Sequence, residues 1–134
     1  MSKKLIRIPL IVFFALLIVS CKNTKQKLQE YVTTYNSTAP GFKADDVTLT
    51  TARGYINDNK IELRFETNLE QTQANQLKVN TSFPKLLKEM ILKNQIPKEL
   101  VEEGVQFDTY FLASDNTVLL KEIINTESLP DLLK

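Results

Sequence analysis

Apolar positions in this chain change period several times, and each change marks an element. From Gln26 to Asn36 the apolar residues are Leu28, Tyr31, Val32 and Tyr35, the i, i+3, i+4, i+7 stripe of an amphipathic helix. Ala39-Pro40-Gly41 should end it. Val47 to Ile56 is rich in β-branched residues and reads as a strand. Asn57-Asp58-Asn59 is a turn cluster. Lys60 to Thr67 then alternates strictly. Ile61, Leu63 and Phe65 share one face; Lys60, Glu62, Arg64 and Glu66 share the other. One buried and one wet face suit an antiparallel hairpin.

Leu69 to Thr81 is polar, with little periodicity, and reads as a connection with room for a helical turn. Ser82 suits an N-cap and Pro84 a first turn. Phe83, Leu86, Leu87, Met90 and Ile91 follow at helical spacing, so the strongest helix is expected to run from there to Lys93-Asn94. A short helix follows over Pro97 to Glu103, closed by Gly104. Val105 to Ser114 and Thr117 to Asn125 form a second hairpin around Asp115-Asn116. Leu129 to Leu133 is a short tail with one helical turn. A shift of 57 superposes Pro40 on Pro97 and Asp58-Asn59 on Asp115-Asn116, as two repeated αββ units would. Any two such units with similar loops align comparably. The expected fold class is α+β: helix-hairpin-helix-hairpin (αββαββ), a four-stranded antiparallel sheet with the helices packed on one face.

The first 21 residues obey another pattern. Lys3, Lys4 and Arg7 precede an apolar run from Ile8 to Val19. It is shorter than the roughly 20 apolar residues that span a bilayer. A basic flank, a short apolar stretch and small residues before a cut describe a secretory signal peptide. Its end, Ile18-Val19-Ser20-Cys21, resembles the lipobox of bacterial lipoproteins. That resemblance implies cleavage before Cys21, a diacylglycerol thioether on its sulfur, and acylation of its amine. A plain signal peptide or an uncleaved anchor are the alternatives. The expected organisation is a leader over residues 1–20, a lipidated tether over 21–25 and one domain over 26–134. Gly104 to Tyr110 (GVQFDTY) is similar to a run in small lipoproteins of Bacteroidota-type bacteria, a likeness that brings no function with it. The helix-hairpin doublet is similar in architecture to β-lactamase-inhibitor-like modules. Lys22 stands where an Asp would imply inner-membrane retention, and no acidic run follows. The lipoprotein resemblance therefore implies the periplasmic leaflet of the outer membrane.

Composition removes several chemistries. Losing Lys3, Lys4 and Arg7 with the leader takes three positive charges from a formal +1, leaving −2. A nucleic-acid surface would be clearly basic. Histidine is absent, so Ser-His and Cys-His pairs and His-bearing zinc sites are excluded. Three glycines make no phosphate-cradling loop. No cofactor is expected. Asp45-Asp46 and Glu102-Glu103 read as solvated turn and helix residues, since the alternating oxygens of a calcium loop are missing. Arg53, Tyr55, Glu62, Arg64 and Tyr110 are expected on the open sheet face, as a mixed charged and aromatic surface for a peptide, a sugar or a protein. Ordinary cross-strand Glu/Arg pairs on a solvated face account for them as well. The leading expectation is a non-enzymatic interaction module, tethered to the cell envelope through lipid on Cys21, with an envelope protein or a small ligand as partner. The alternatives are a hydrolase using carboxylates alone and a purely structural envelope component.

Overall fold

The computed structural model describes residues 23–134. The expected leader, Cys21 and Lys22 lie outside these residues. The described chain is α+β, in the order α1 (Thr24–Thr38), β1 (Val47–Tyr55), β2 (Lys60–Thr67), α2 (Gln73–Leu92), α3 (Lys98–Glu102), β3 (Gln106–Leu112), β4 (Val118–Ile124) and α4 (Leu129–Leu132). Short 3-10 turns follow α1 and β1.

α1 begins at Thr24 rather than Gln26, because Asn23 caps it. The Asn23 side chain accepts from the Gln26 amide at 2.8 Å, and the Gln26 side chain accepts from the Asn23 amide at 3.3 Å. This reciprocal box satisfies two donors that a helix start leaves open. Thr24 and Lys25, expected in the tether, are thus helical. Leu28 and Tyr35 are buried against the sheet. The facing residues of β1 are small: Thr50, Ala52 and Gly54. A Cβ at Gly54 would come within 3.0 Å of Leu28 Cδ2, so glycine lets α1 lie close to the strand.

α2 departs most from expectation. It starts at Gln73, about ten residues early, and carries Pro84 inside it. Thr72 is the cap, accepting from the Asn75 amide at 3.1 Å. The first half of α2 buries Val79 and leaves Leu77 exposed, so it has almost no apolar stripe to detect. Its second half buries Phe83, Leu87, Met90 and Ile91. That packing offsets the hydrogen bond that a mid-helix proline removes.

Helix length also decides the sheet. At 1.5 Å per residue, the 20 residues of α2 span about 30 Å, enough to carry the chain back along the whole sheet. β3 therefore starts at the end where β2 started, and the two pair in parallel. Both hairpins are antiparallel, as expected. The sheet, in order β1-β2-β3-β4, is mixed rather than wholly antiparallel. This order also means that the 57-residue offset is no symmetry. It maps edge strand β1 onto interior strand β3 and reverses strand direction, which would put α1 and α2 on opposite faces. Both lie on one face: Tyr35 meets Thr50, and Phe83 meets Phe65 and Phe111. What the two halves share is local. Asn59 and Asn116 both hold left-handed turn positions, at φ 52° and 67°.

Phe65 is the hub of the core. Its ring lies 5.8 Å from Phe42, 5.6 Å from Phe83 and 6.5 Å from Phe111, centroid to centroid.

One side chain caps the middle of the open edge of β1. Asn36 of α1 donates to the Ala52 carbonyl at 2.9 Å and accepts from the Ala52 amide at 2.8 Å. An unpaired edge is a template for association. Asn36→Ala is expected to cost about 1–2 kcal/mol and to promote concentration-dependent aggregation. Urea unfolding and light scattering test both.

Tyr35 sets an alkaline limit. Burial pushes its phenol up to about 12, against a smaller opposing effect of its 2.6 Å hydrogen bond with Thr50. The folded state disfavours the phenolate. The contribution is therefore full below the unfolded value near pH 10 and lost as pH rises through about 12. Tyr31 is raised in the same direction, chiefly by burial. Unfolding is expected to accompany tyrosinate formation above pH 10, read by circular dichroism and absorbance at the same pH.

Candidate functional site

The strand register brings the five expected surface residues onto one face. Arg53 pairs with Glu62, which pairs with Asp108 and then Ile123. Thr51 pairs with Arg64, then Tyr110, then Lys121. Tyr55, Lys60 and Gln106 make a third row. This is the face opposite the helices. Strict alternation in β2 and β3 made it legible.

The groups hold one another. The Tyr55 ring has the Arg53 guanidinium at 5.3 Å and the Lys60 ammonium at 4.9 Å from its centre, within cation–π range. Its hydroxyl donates to Glu62 Oε2 at 3.3 Å. Lys121 lies 5.2 Å from the Tyr110 ring centre, and its hydrogen bond to Tyr110 raises its pKa. Lys60, Asp108 and Lys121 are members that the sequence reading left out. Asp108 stands out because it is only 6% exposed on an otherwise wet face. Gln106 Nε2 donates to it at 2.7 Å, and Lys60 Nζ lies at 3.6 Å. Its position between Gln106 and Tyr110 revealed its face. Burial comes from its place in an interior strand, which sequence does not display.

The other acidic pairs are structural. Asp46 meets Lys78 of α2 at 3.0 Å. Glu99 and Glu103 receive Lys27 of α1 at 2.9 and 3.0 Å, tying α3 to the start of α1. Among the described residues, no group of three or more His, Cys, Asp or Glu could hold a metal ion. No described helix is long and apolar enough to cross a membrane.

Two concavities lie on the helix side, both unforeseen from sequence. A cleft of about 660 Å³ opens between the 43–46 loop and α2. Val79 and Phe111 form its apolar floor, while Lys43, Asp45, Lys85 and Glu89 put both signs of charge around it. It lies toward the C-terminal end of α1, away from Asn23. A smaller hollow of about 370 Å³ lies between α1, the turn after it and the 94–95 segment.

In fold the chain is similar to a pilotin. The pilotin EpsS from the Vibrio vulnificus type 2 secretion system superposes with a TM-score of 0.50 and 14% identity, over 78% of this chain and 94% of that one. A Pseudomonas aeruginosa protein described as secreted superposes with a TM-score of 0.52 and 13% identity, over 81% of this chain and 98% of that one. At such identities the likeness is one of fold alone. No family profile and no curated protein matches the sequence.

Proposed function

We propose that this protein is a lipoprotein of the cell envelope, anchored through Cys21 to the periplasmic leaflet of the outer membrane, that binds a partner protein without catalysis. The observation that carries this reading is the cleft between the 43–46 loop and α2. It has an apolar floor and a rim of both charges, and it lies toward the end of α1 remote from Asn23. A surface of that kind buries apolar side chains while its rim selects among partners. The lipobox-like leader supports the anchor, and the fold shared with a secretion pilotin supports an envelope role.

A photo-crosslinker placed at exposed Ser82, which lines the cleft, tests it in cells. One envelope protein is expected in the adduct, lost when Leu86→Lys puts a charge on the cleft wall. The same crosslinker at exposed Glu127, beyond β4, should capture nothing. No Ser82 adduct, or one indifferent to Leu86→Lys, would sink the reading. A second reading rests on Glu62 beside Asp108 in the register. Paired carboxylates are the minimum for acid/base hydrolysis. A substrate turned over by the native chain but not by Asp108→Asn would establish it.

A further inference from the structure

The hollow beside Tyr31 differs from the rest of the surface in its charge. A quarter of the chain is Asp, Glu, Lys or Arg, yet none of the nine residues lining this hollow is charged. What lines it is aromatic and amide-bearing. Tyr31, Tyr35 and Phe42 supply rings; Thr34, Asn94 and Gln95 supply neutral hydrogen-bonding groups.

These groups are held in place. Tyr31 donates its hydroxyl to the Gln95 carbonyl at 2.7 Å and stands edge-on to Phe107, at 87° and 5.5 Å. Its polar end is therefore occupied while its ring lines the cavity. Asn94 and Gln95 follow the end of α2 in a left-handed cap. Asn94 sits at φ 61°, and the Gln95 amide donates to the Met90 carbonyl at 2.7 Å. That cap fixes both backbones at the rim of the hollow; their carboxamides are exposed and make no side-chain hydrogen bond among the described residues, which leaves them open to a ligand. Each carboxamide offers donors and an acceptor.

We propose that this hollow is a binding site for a neutral saccharide of one or two rings. A pyranose has an apolar C–H face that packs on an aromatic ring and hydroxyls that need both donors and acceptors. A charged ligand would lose hydration here with no opposite charge to meet. A volume of about 370 Å³ lies at the small end of ordinary ligand sites. The proposal is independent of the cleft and of any partner protein bound there.

The full chain, in a detergent without a sugar headgroup, is titrated calorimetrically with maltose and with N,N′-diacetylchitobiose. Fully deacetylated chitobiose and cellobiouronate, disaccharides of the same size, serve as charged comparisons. At least one neutral disaccharide should bind saturably, and both charged sugars at least about tenfold more weakly. Tyr31→Ala should weaken binding about tenfold, the scale of one lost aromatic contact. Asn94→Gly suits the left-handed backbone and removes only the amide, so it should fold normally and bind several-fold more weakly. If Tyr31→Ala does not fold, Asn94→Gly decides. Failure of both neutral sugars to bind, equal binding of a charged one, or unchanged binding by Asn94→Gly would overturn the proposal.

Discussion

Phe65→Ala is expected to destabilise the domain by about 3–5 kcal/mol. Phe65 is fully buried in an interior strand, and its ring contacts come from three separate segments: Phe42 after α1, Phe83 of α2 and Phe111 of β3. Truncation leaves a cavity that none of these can fill alone, because each is fixed by its own backbone. Thermal unfolding should show Tm lower by roughly 12 °C or more, from 4–8 °C per kcal/mol in a domain of this size. Phe65→Leu keeps much of the volume and should lose less than half as much. A loss under about 1 kcal/mol for Phe65→Ala would mean that the ring cluster is not the centre of the core. The same substitution should loosen the cleft, since Phe111 is both a neighbour of Phe65 and part of the cleft floor.

Cys21→Ser is expected to abolish lipid attachment. Incorporation of labelled palmitate should fall to background, and any chain freed of its leader should leave the membrane fraction. The physical basis is the scale of acyl burial, about 0.8 kcal/mol per CH₂, so that two or three chains hold a protein that one holds only marginally. The domain should be unaffected in stability, because α1 is capped by Asn23, downstream of Cys21 in sequence. Native mass spectrometry that finds an unmodified thiol at Cys21, or a retained leader, would remove the anchor from the proposed function.

Asn23 stands at one end of α1, and the cleft beside the 43–46 loop lies toward the other. Lys27 ties the start of α1 to Glu99 and Glu103, while Asp46 and Lys78 join the 43–46 loop to α2 at the cleft. In the proposed arrangement one end is held at the bilayer and the other is presented to the periplasm. Exposed ion pairs of this kind contribute little stability, typically under about 1 kcal/mol each. Their role here is to fix where neighbouring segments lie.

Element type was written locally, and most of it could be read. Strict alternation from Lys60 to Thr67 placed Arg64 and Glu62 on the open side, and the same rule in β3 placed Tyr110 beside them. Turn asparagines marked both hairpins. Those features depend on period and on residue-specific backbone preferences, which neighbours in sequence determine. The early start of α2 was hidden, because its first half buries one apolar residue and its proline sits where a helix start was expected. That error concealed the parallel pairing of β2 with β3, which follows from how far the helix carries the chain. The burial of Asp108, the cleft and the uncharged hollow belong to the same class. Each is made by segments far apart in sequence, and only packing α1, α2 and their loops over one face of the sheet brings those segments together.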